Sequence, residues 1–357
     1  IEVLGNHTDY NEGFVLSAAI DLGTVFLAAP AKGPGCRLLA ADMQEEAAFD
    51  VRRPRSSKDK AWSNYVKGVL AGLGKHKALR RGFNGLLLGN IPLGAGLSSS
   101  AALEIASGLA LAGLYKIRVD PLTLAKIGQT AEHKFVGAKC GLLDQISSLC
   151  GRKNGLIMSD FRSLEVRNVR LGTDACFLMC NTRVKHSLVD SEYNVRRAHC
   201  EEAATRLAKL IDHPVKALRD VSWKEFQALR RKLPAVVARR AAHVIGENTR
   251  VLEGQKLLAK GDLSGFGKLM FESHESSRTN FENSCKELDF VVAAARKLPG
   301  VLGARLSGGG FGGSAVLLVH PRDTDVVSHA LSSAYRRKFS HPCETRAILP
   351  SAGARVM

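Results

Sequence analysis

The chain has 357 residues, of which 24% are charged and 45% are hydrophobic, and its formal net charge is +17. This length allows two domains that each bury a core, and no apolar run reaches the length of a membrane span. Lysine and arginine are spread along the chain without a dense basic block or interleaved aromatic residues, which favours a solvated basic surface. We therefore expect a protein that binds neither nucleic acid nor a membrane.

The eight cysteines are scattered without the spacing of a metal site, and the N-terminus lacks the pattern of a signal peptide. We interpret the cysteines as reduced thiols in a cytoplasmic protein, and we expect a monomer. The sequence begins at Ile1, within a segment that is already patterned, so we expect further residues upstream.

The first 180 residues mix strand-like apolar runs with amphipathic helices. Strands are predicted over residues 14–20, 25–29, 85–88 and 176–180, and helices are predicted to begin at Tyr65, Ser98 and Leu122. Long amphipathic helices follow over residues 192–211, 223–231, 235–259, 263–273 and 287–297. Strands over 301–306, 314–320 and 345–349 enclose a last helix over 323–338. The class is α+β, and the change in character predicts two domains, residues 1–180 and 181–357.

A polar segment, Gly5-Asn6-His7-Thr8-Asp9-Tyr10-Asn11, lies between two apolar runs near the N-terminus. Asparagine and aspartate stabilise turns by bonding their own backbone, so the segment is consistent with a simple turn. The same side chains could instead pair with the hydroxyl groups of a sugar. The local pattern does not decide between these two interpretations.

The segment from Pro92 to Ala102 joins two glycines, three consecutive serines and the start of a helix. Gly94 and Gly96 allow the backbone to approach an anion closely, and the free N–H groups of the helix point at it. A Walker A loop would need Gly-Lys followed by serine or threonine, whereas the Gly74-Lys75 pair is followed by histidine. The segment therefore predicts a phosphate-binding loop of another type, with Ser98 suited to cap the helix.

Two carboxylates, Glu132 and Asp144, flank a turn between two predicted helices. One could hold Mg²⁺ while the other accepts a proton from an attacking hydroxyl, as phosphoryl transfer requires. Two solvated acids at helix ends remain the alternative. Two further features are equally open: residues 308–313 indicate either a tight hairpin or a close backbone approach, and Tyr193 is either a core aromatic or part of a sugar pocket.

Together these segments resemble the GHMP kinase superfamily, and within it the galactokinases, over essentially the full chain. Residues 5–10 are similar to the galactokinase signature, residues 92–101 to the ATP loop of the superfamily, and residues 306–313 to its third motif. Segments 131–145 and 184–193 also resemble galactokinase segments.

The resemblance implies a two-domain GHMP kinase fold. Its N-terminal domain resembles domain 2 of ribosomal protein S5, its C-terminal domain is ferredoxin-like α+β, and ATP and a sugar bind in the cleft between the two. The implied reaction is ATP-dependent phosphorylation of galactose at the anomeric hydroxyl, which gives galactose 1-phosphate. Asp144 is the implied base, and Ser100 and Glu132 are the implied ligands of Mg²⁺.

The resemblance also implies the remaining contact residues. Those for the sugar are Asn6, His7, Thr8, Asp9, Gly141, Asp144 and Tyr193. Those for ATP are Gly94, Ala95, Gly96, Leu97, Ser98, Ser99 and Ser100, with Trp62 on the adenine side.

Two departures from the galactokinase pattern keep alternatives open. The arginine of the signature, which balances charge at the transferred phosphoryl group, falls immediately before Ile1. Asn6 stands where galactokinases have a glutamate near the C6 hydroxyl of the sugar, and an uncharged amide tolerates a C6 carboxylate better. A galacturonate or arabinose 1-kinase is therefore an alternative, and a non-catalytic sensor of sugar and ATP is a third.

Overall fold

The computed structural model describes residues 1–92, 94–184 and 189–357, with the backbone alone for 189–191. Its contacts divide the chain into two compact units that are not consecutive in sequence. The first comprises Ile1–Ile20, Gly94–Leu97 and Arg152–Ser351, and the second comprises Asp21–Leu93, Ser98–Gly151 and Ala352–Met357. The boundary predicted at residue 180 thus falls inside the first unit, within a strand that pairs on both sides with later strands.

The strands in the described residues are β1 (Glu2–Leu4), β2 (Phe14–Ser17), β3 (Thr24–Pro30), β4 (Gly35–Ala40), β5 (Glu45–Asp50), β6 (Phe83–Gly89), β7 (Gly155–Asp160), β8 (Glu165–Arg170), β9 (Cys176–Asn181), β10 (Val301–Leu306), β11 (Ser314–Val319) and β12 (Glu344–Ile348). The helices there are α1 (Ser63–Leu73), α2 (Ser99–Tyr115), α3 (Pro121–Ala131), α4 (Leu143–Cys150), α5 (Val189–Leu207), α6 (Trp223–Leu229), α7 (Ala235–Ala259), α8 (Leu263–Ser276), α9 (Lys286–Ala295) and α10 (Thr324–Phe339). Within the described ranges, every helix is too short or too polar to span a membrane.

The second unit is one four-stranded sheet, in the order β3-β6-β4-β5, packed against helices. β4 runs parallel to β6, and the other neighbours are antiparallel. Its core lies between the sheet and helices α1, α2 and α3, where Leu38, Leu70 and Phe83 are fully buried. Helix α3 begins where the sequence dictates, because Asp120 accepts a hydrogen bond from the backbone N–H of Thr123 and Pro121 occupies the first turn.

The first unit contains two four-stranded sheets. The first has the order β1-β2-β7-β8, and α7 packs on it. The second is antiparallel with the order β10-β11-β9-β12, so its strands stand second, third, first and fourth in chain order. That order is the ferredoxin-like arrangement expected for the C-terminal domain, which is thereby confirmed.

Helix α8 lies unusually close to β10, and glycine permits this on both sides. A Cβ added to Gly267 would lie 2.0 Å from the carbonyl oxygen of Leu302, and one added to Gly303 would lie 2.5 Å from that of Gly267. Helices α3 and α8 each end in a π-helical turn. Glu132–Val136 continues α3 and Ser277–Phe281 continues α8. Such turns are frequent at functional sites.

Candidate active site

The polar segment after β1 forms a turn that its own side chains stabilise. The hydroxyl of Thr8 lies 2.8 Å from the carbonyl oxygen of Gly5 and 2.6 Å from that of Phe14, and Asn11 donates to the carbonyl of His7 at 2.9 Å. Thr8 is fully buried. Thr8 and Asn11 therefore stabilise the turn, and the roles of Thr8 and of the half-buried Asp9 at the sugar stay predictions.

Asn6 is buried, and both the nitrogen and the oxygen of its side-chain amide form hydrogen bonds within the protein. The amide nitrogen donates to Glu2 Oε2 at 3.0 Å and to the carbonyl of Gly308 at 2.9 Å. The amide oxygen accepts a hydrogen bond from Asn283 at 2.9 Å. Both amide hydrogens are thus used within the protein, so Asn6 acts on its surroundings chiefly by holding Glu2, Gly308 and Asn283.

Asn283 is a member of this cluster that no sequence pattern indicates. It follows the π-helical turn after α8, and its amide also donates to the carbonyl of Gly309 at 3.1 Å. Its partner Asn6 is 277 positions away in the chain. A lone asparagine in a loop carries no pattern that would single it out.

His7 is a neutral, fully engaged imidazole. Burial lowers the pKa of His7 to about 3, against a hydrogen bond to Gly309 that favours the charged form. Nε2 lies 3.2 Å from the carbonyl oxygen of Gly309 and Nδ1 lies 2.8 Å from the hydroxyl of Tyr10. Nε2 also lies 3.2 Å from the amide nitrogen of Asn283, so both ring nitrogens have polar partners. The ring centroids of His7 and Tyr193 are 5.1 Å apart, which brings two predicted sugar residues together.

Beneath this cluster lie two buried carboxylates. Glu2 forms an ion pair with Arg305, whose side chain is fully buried, and burial raises the pKa of Glu2 in spite of that cation. Glu247 accepts hydrogen bonds from the backbone N–H groups of Gly5 and Asn6 at 3.0 and 2.9 Å. Although burial opposes it, Arg250 and other positive neighbours hold the pKa of Glu247 well below its usual range.

The glycine cluster between β10 and β11 approaches two other segments of the first unit. A Cβ on Gly310 would lie 2.1 Å from the carbonyl oxygen of Asn283, and φ at Gly310 is +85°. Ser314 donates to the carbonyl of Ala95 at 2.6 Å, and a Cβ on Gly308 would lie 3.4 Å from the Gly96 oxygen. The close backbone approach is confirmed, and the second and third motifs meet here.

The predicted phosphate loop has the expected backbone but a different helix start. Gly94 and Gly96 both have φ of +70°. Helix α2 begins at Ser99, and Ser98 adopts φ of +56° with no side-chain capping bond, so the prediction that Ser98 caps the helix is wrong. Because the left-handed Ser98 turns its side chain out of capping position, the N–H groups of the first turn keep their capacity to bind an anion.

In the second unit the predicted acids come together with Ser100. Glu132 accepts hydrogen bonds from Cys140 and from the hydroxyl of Ser100, and burial nevertheless raises the pKa of Glu132. Asp144 lies in the first turn of α4, half-buried, and its charge also acts on Glu132. Gly141 is half-buried just before that helix.

These groups suit magnesium. A hydroxyl and a carboxylate in hydrogen-bond contact are hard oxygen ligands, and Mg²⁺ takes one or two such groups together with water and phosphate oxygens. Among the described residues, no cluster of three or more His, Cys, Asp or Glu side chains could hold a metal alone. Ser100 and Glu132 are thus two oxygen groups that could hold a metal whose other ligands are water and phosphate oxygens.

Trp62 takes a different set of contacts. Its indole N–H donates to Glu45 at 2.8 Å, and its ring packs on the core of the second unit. Its place on the adenine side stays a prediction. Leu93 of the loop and residues 185–188, which include part of the segment that resembles galactokinases, lie outside the described residues.

Comparison with known proteins places the chain in a class. Family models described as the N-terminal domain and the C-terminal domain of GHMP kinases match residues 64–152 and 255–337. Mevalonate kinase of Methanococcus jannaschii superposes with a TM-score of 0.65 at 17% identity, over 98% of this chain and 95% of that one. Homoserine kinase of Cytophaga hutchinsonii does so with 0.59 at 16%, over 98% and 93%. The fold is that of a GHMP kinase.

Two matches are more specific. The galactose-binding signature of galactokinases matches residues 1–30. The crystal structure of Lactococcus lactis galactokinase complexed with galactose superposes with a TM-score of 0.95 at 32% identity, covering 100% of this chain and 93% of that one. The chain belongs to the galactokinase family.

Proposed function

We propose that the chain transfers the γ-phosphoryl group of ATP to the anomeric oxygen of galactose, with Asp144 as the base. The proton of the hydroxyl passes to the Asp144 carboxylate as the O1–Pγ bond forms and the bond from Pγ to the bridging oxygen breaks. Galactose 1-phosphate and ADP leave. The observation that carries the proposal is the placement of Asp144, Glu132 and Ser100 beside the open N-terminal turn of α2.

The loop and helix start supply the binding of the phosphates. Residues 94–97 provide exposed glycines with positive φ, and residues 98–100 lead into the first turn of α2. Backbone N–H groups at a helix N-terminus attract anions through both hydrogen bonds and the helix dipole. Ser100 and Glu132 would hold Mg²⁺, which neutralises charge on the phosphate oxygens when bound.

The contacts of Asn6 favour galactose over galacturonate. An amide at this position suggested tolerance of a C6 carboxylate, but the Glu2 carboxylate lies 3.0 Å from the Asn6 nitrogen. Both amide hydrogens of Asn6 are taken by Glu2 and the carbonyl of Gly308, so the amide has no free donor for a C6 carboxylate. Arabinose has no C6 group and would therefore lose the contacts that the C6 hydroxyl of galactose makes.

A panel of sugars tests the proposal. We expect ADP release with Mg-ATP to be at least about tenfold faster, as kcat/KM, for galactose than for galacturonate, arabinose or galactosamine, since one lost polar contact in a buried site costs that much. The chain assayed carries the arginine that the family pattern places before Ile1, and the reaction without sugar gives the background. A preference for another sugar would displace galactose, and binding of both ligands without turnover would indicate a sensor.

A further inference from the structure

A buried acid that the proposed reaction does not use lies behind Asp144. Glu104, on α2, is fully buried, and its Oε2 accepts a hydrogen bond from the amide of Gln145 at 2.9 Å. Gln145 is itself 1% exposed and directly follows Asp144 in the first turn of α4. The contact thus joins the helix that begins at the phosphate loop to the helix that carries the proposed base.

If Glu104 is ionised, its second carboxylate oxygen and the amide oxygen of Gln145 both lack a hydrogen-bond donor. Oε1 of Glu104 and Oε1 of Gln145 are both buried and have no hydrogen-bond partner among the described residues. A carboxylate offers only acceptors, and the amide oxygen is also an acceptor. A proton on Oε1 of Glu104 would serve both atoms, because a carboxylic acid and a primary amide pair through two parallel hydrogen bonds.

The surroundings of Glu104 also disfavour a negative charge. The groups that face it are the Glu132 and Asp144 carboxylates and the Cys140 thiol, while Lys67 of the neighbouring helix α1 lies over the ring of Phe49. Strand β3, also packed on α2, carries no titratable side chain. Burial first, and then Glu132, raise the pKa of Glu104 to about 9.

A glycine on α3 closes the site around this acid. A Cβ added to Gly128 would lie 2.9 Å from Glu104 Oε2 and 3.1 Å from Cγ of Gln145. The backbone of α3 therefore packs directly against the pair. The pair is a close contact of three helices.

We propose that Glu104 is a neutral carboxylic acid paired with Gln145 through two hydrogen bonds, and that this pair positions Asp144. The positioning role rests on the proposed function of Asp144 as the base. The neutral state keeps a third negative charge away from Glu132 and Asp144, where a triphosphate must bind. The two bonds fix the first turn of α4 on α2, and with it the direction of the Asp144 side chain.

Stability as a function of pH tests the neutral state without any assay of activity. An acid with an ordinary pKa of 4.5 in the unfolded chain and about 9 in the fold makes the protein less stable as pH rises between these values. Glu104→Gln removes this loss. The folding constant of the variant relative to the parent should therefore rise from pH 5 to pH 9, by up to about tenfold per pH unit.

The matched control is Glu46→Gln, which removes an exposed carboxylate of the same unit. Its folding constant relative to the parent should stay constant from pH 5 to pH 9, because Glu46 is exposed to solvent in the fold as it is in the unfolded chain. A flat profile for Glu104→Gln as well would show that Glu104 is ionised in the fold and would overturn the proposal.

Rescue by matched variants tests the positioning role. Glu104→Ala should lower kcat about ten- to a hundredfold, since it leaves the buried amide unpaired, and Glu104→Gln should recover most of that loss. Gln145→Glu alone should lower kcat, and the exchange Glu104→Gln with Gln145→Glu should restore it, because the acid and amide then trade places. An exchange variant no better than Gln145→Glu would contradict positioning, whereas failure of Asp144 as the base would show only in variants of Asp144.

Discussion

Replacing Asp144 with asparagine is expected to lower kcat for galactose by about 10³-fold, within the range that a general base contributes. The amide has nearly the same shape as the carboxylate but cannot take the proton from the anomeric hydroxyl. Because Asp144 lies half-buried in the first turn of α4, the change should not disturb the core. Galactose binding, measured by calorimetry, should change by less than about threefold, since the loss falls on the transition state alone.

The control for this experiment is Asp59→Asn, which removes an exposed carboxylate from the same unit. It has the same effect on net charge, and we expect kcat to stay within about twofold of the parent, because the proposed reaction does not use this exposed carboxylate. Turnover by Asp144→Asn at the level of the control would show that Asp144 is not the base. A combined loss of binding and turnover would assign it to sugar binding instead.

Replacing Arg305 with methionine is expected to lower the free energy of unfolding by about 3–5 kcal/mol, the cost of breaking a buried ion pair from one side. Arg305 is fully buried and pairs with Glu2, which also accepts a hydrogen bond from Asn6. Methionine fills much of the volume but leaves the Glu2 carboxylate without its cation. Denaturant unfolding of the parent and the variant measures the difference.

A double-mutant cycle with Glu2→Gln distinguishes lost charge pairing from lost packing. If the ion pair dominates, the double variant should lose less free energy of unfolding than the sum of the losses in the two single variants. Arg322→Met is the control, since its guanidinium is exposed and its ion pair with Asp323 should contribute less than about 1 kcal/mol. Additive losses across the cycle would contradict the role given to the pair.

The sequence predicted the elements that have a strong local period or a composition specific to one geometry. Helix α7 has the predicted bounds of residues 235–259, and β10 those of residues 301–306. Strands β4 and β5 were missed. In β4 the buried positions are Cys36, Leu38 and Ala40, and these alternate with residues that include the apolar Leu39, so the period of two is weak.

The motifs of the candidate site could be predicted from the sequence, but the residues that hold those motifs in place could not. The combination of Gly94, Gly96 and three serines predicts a phosphate-binding loop, because few other structures need that composition. The partners of Asn6 could not be inferred in the same way, because Asn283 and Gly308 lie 277 and 302 positions away in the chain. The same holds for Glu104 and Gln145, where an ordinary helical glutamate becomes unusual only through its burial.

The position of the phosphate in the product shows whether the anomeric hydroxyl is the acceptor. The chain assayed includes the arginine that the family pattern places before Ile1. It is incubated with galactose and Mg-ATP, and the sugar phosphate is then examined by ³¹P and ¹H nuclear magnetic resonance. We expect one new phosphate resonance that is coupled to the anomeric proton, from a product formed in equal amount to ADP. A phosphate coupled to the C6 protons, or ADP with inorganic phosphate alone, would contradict it.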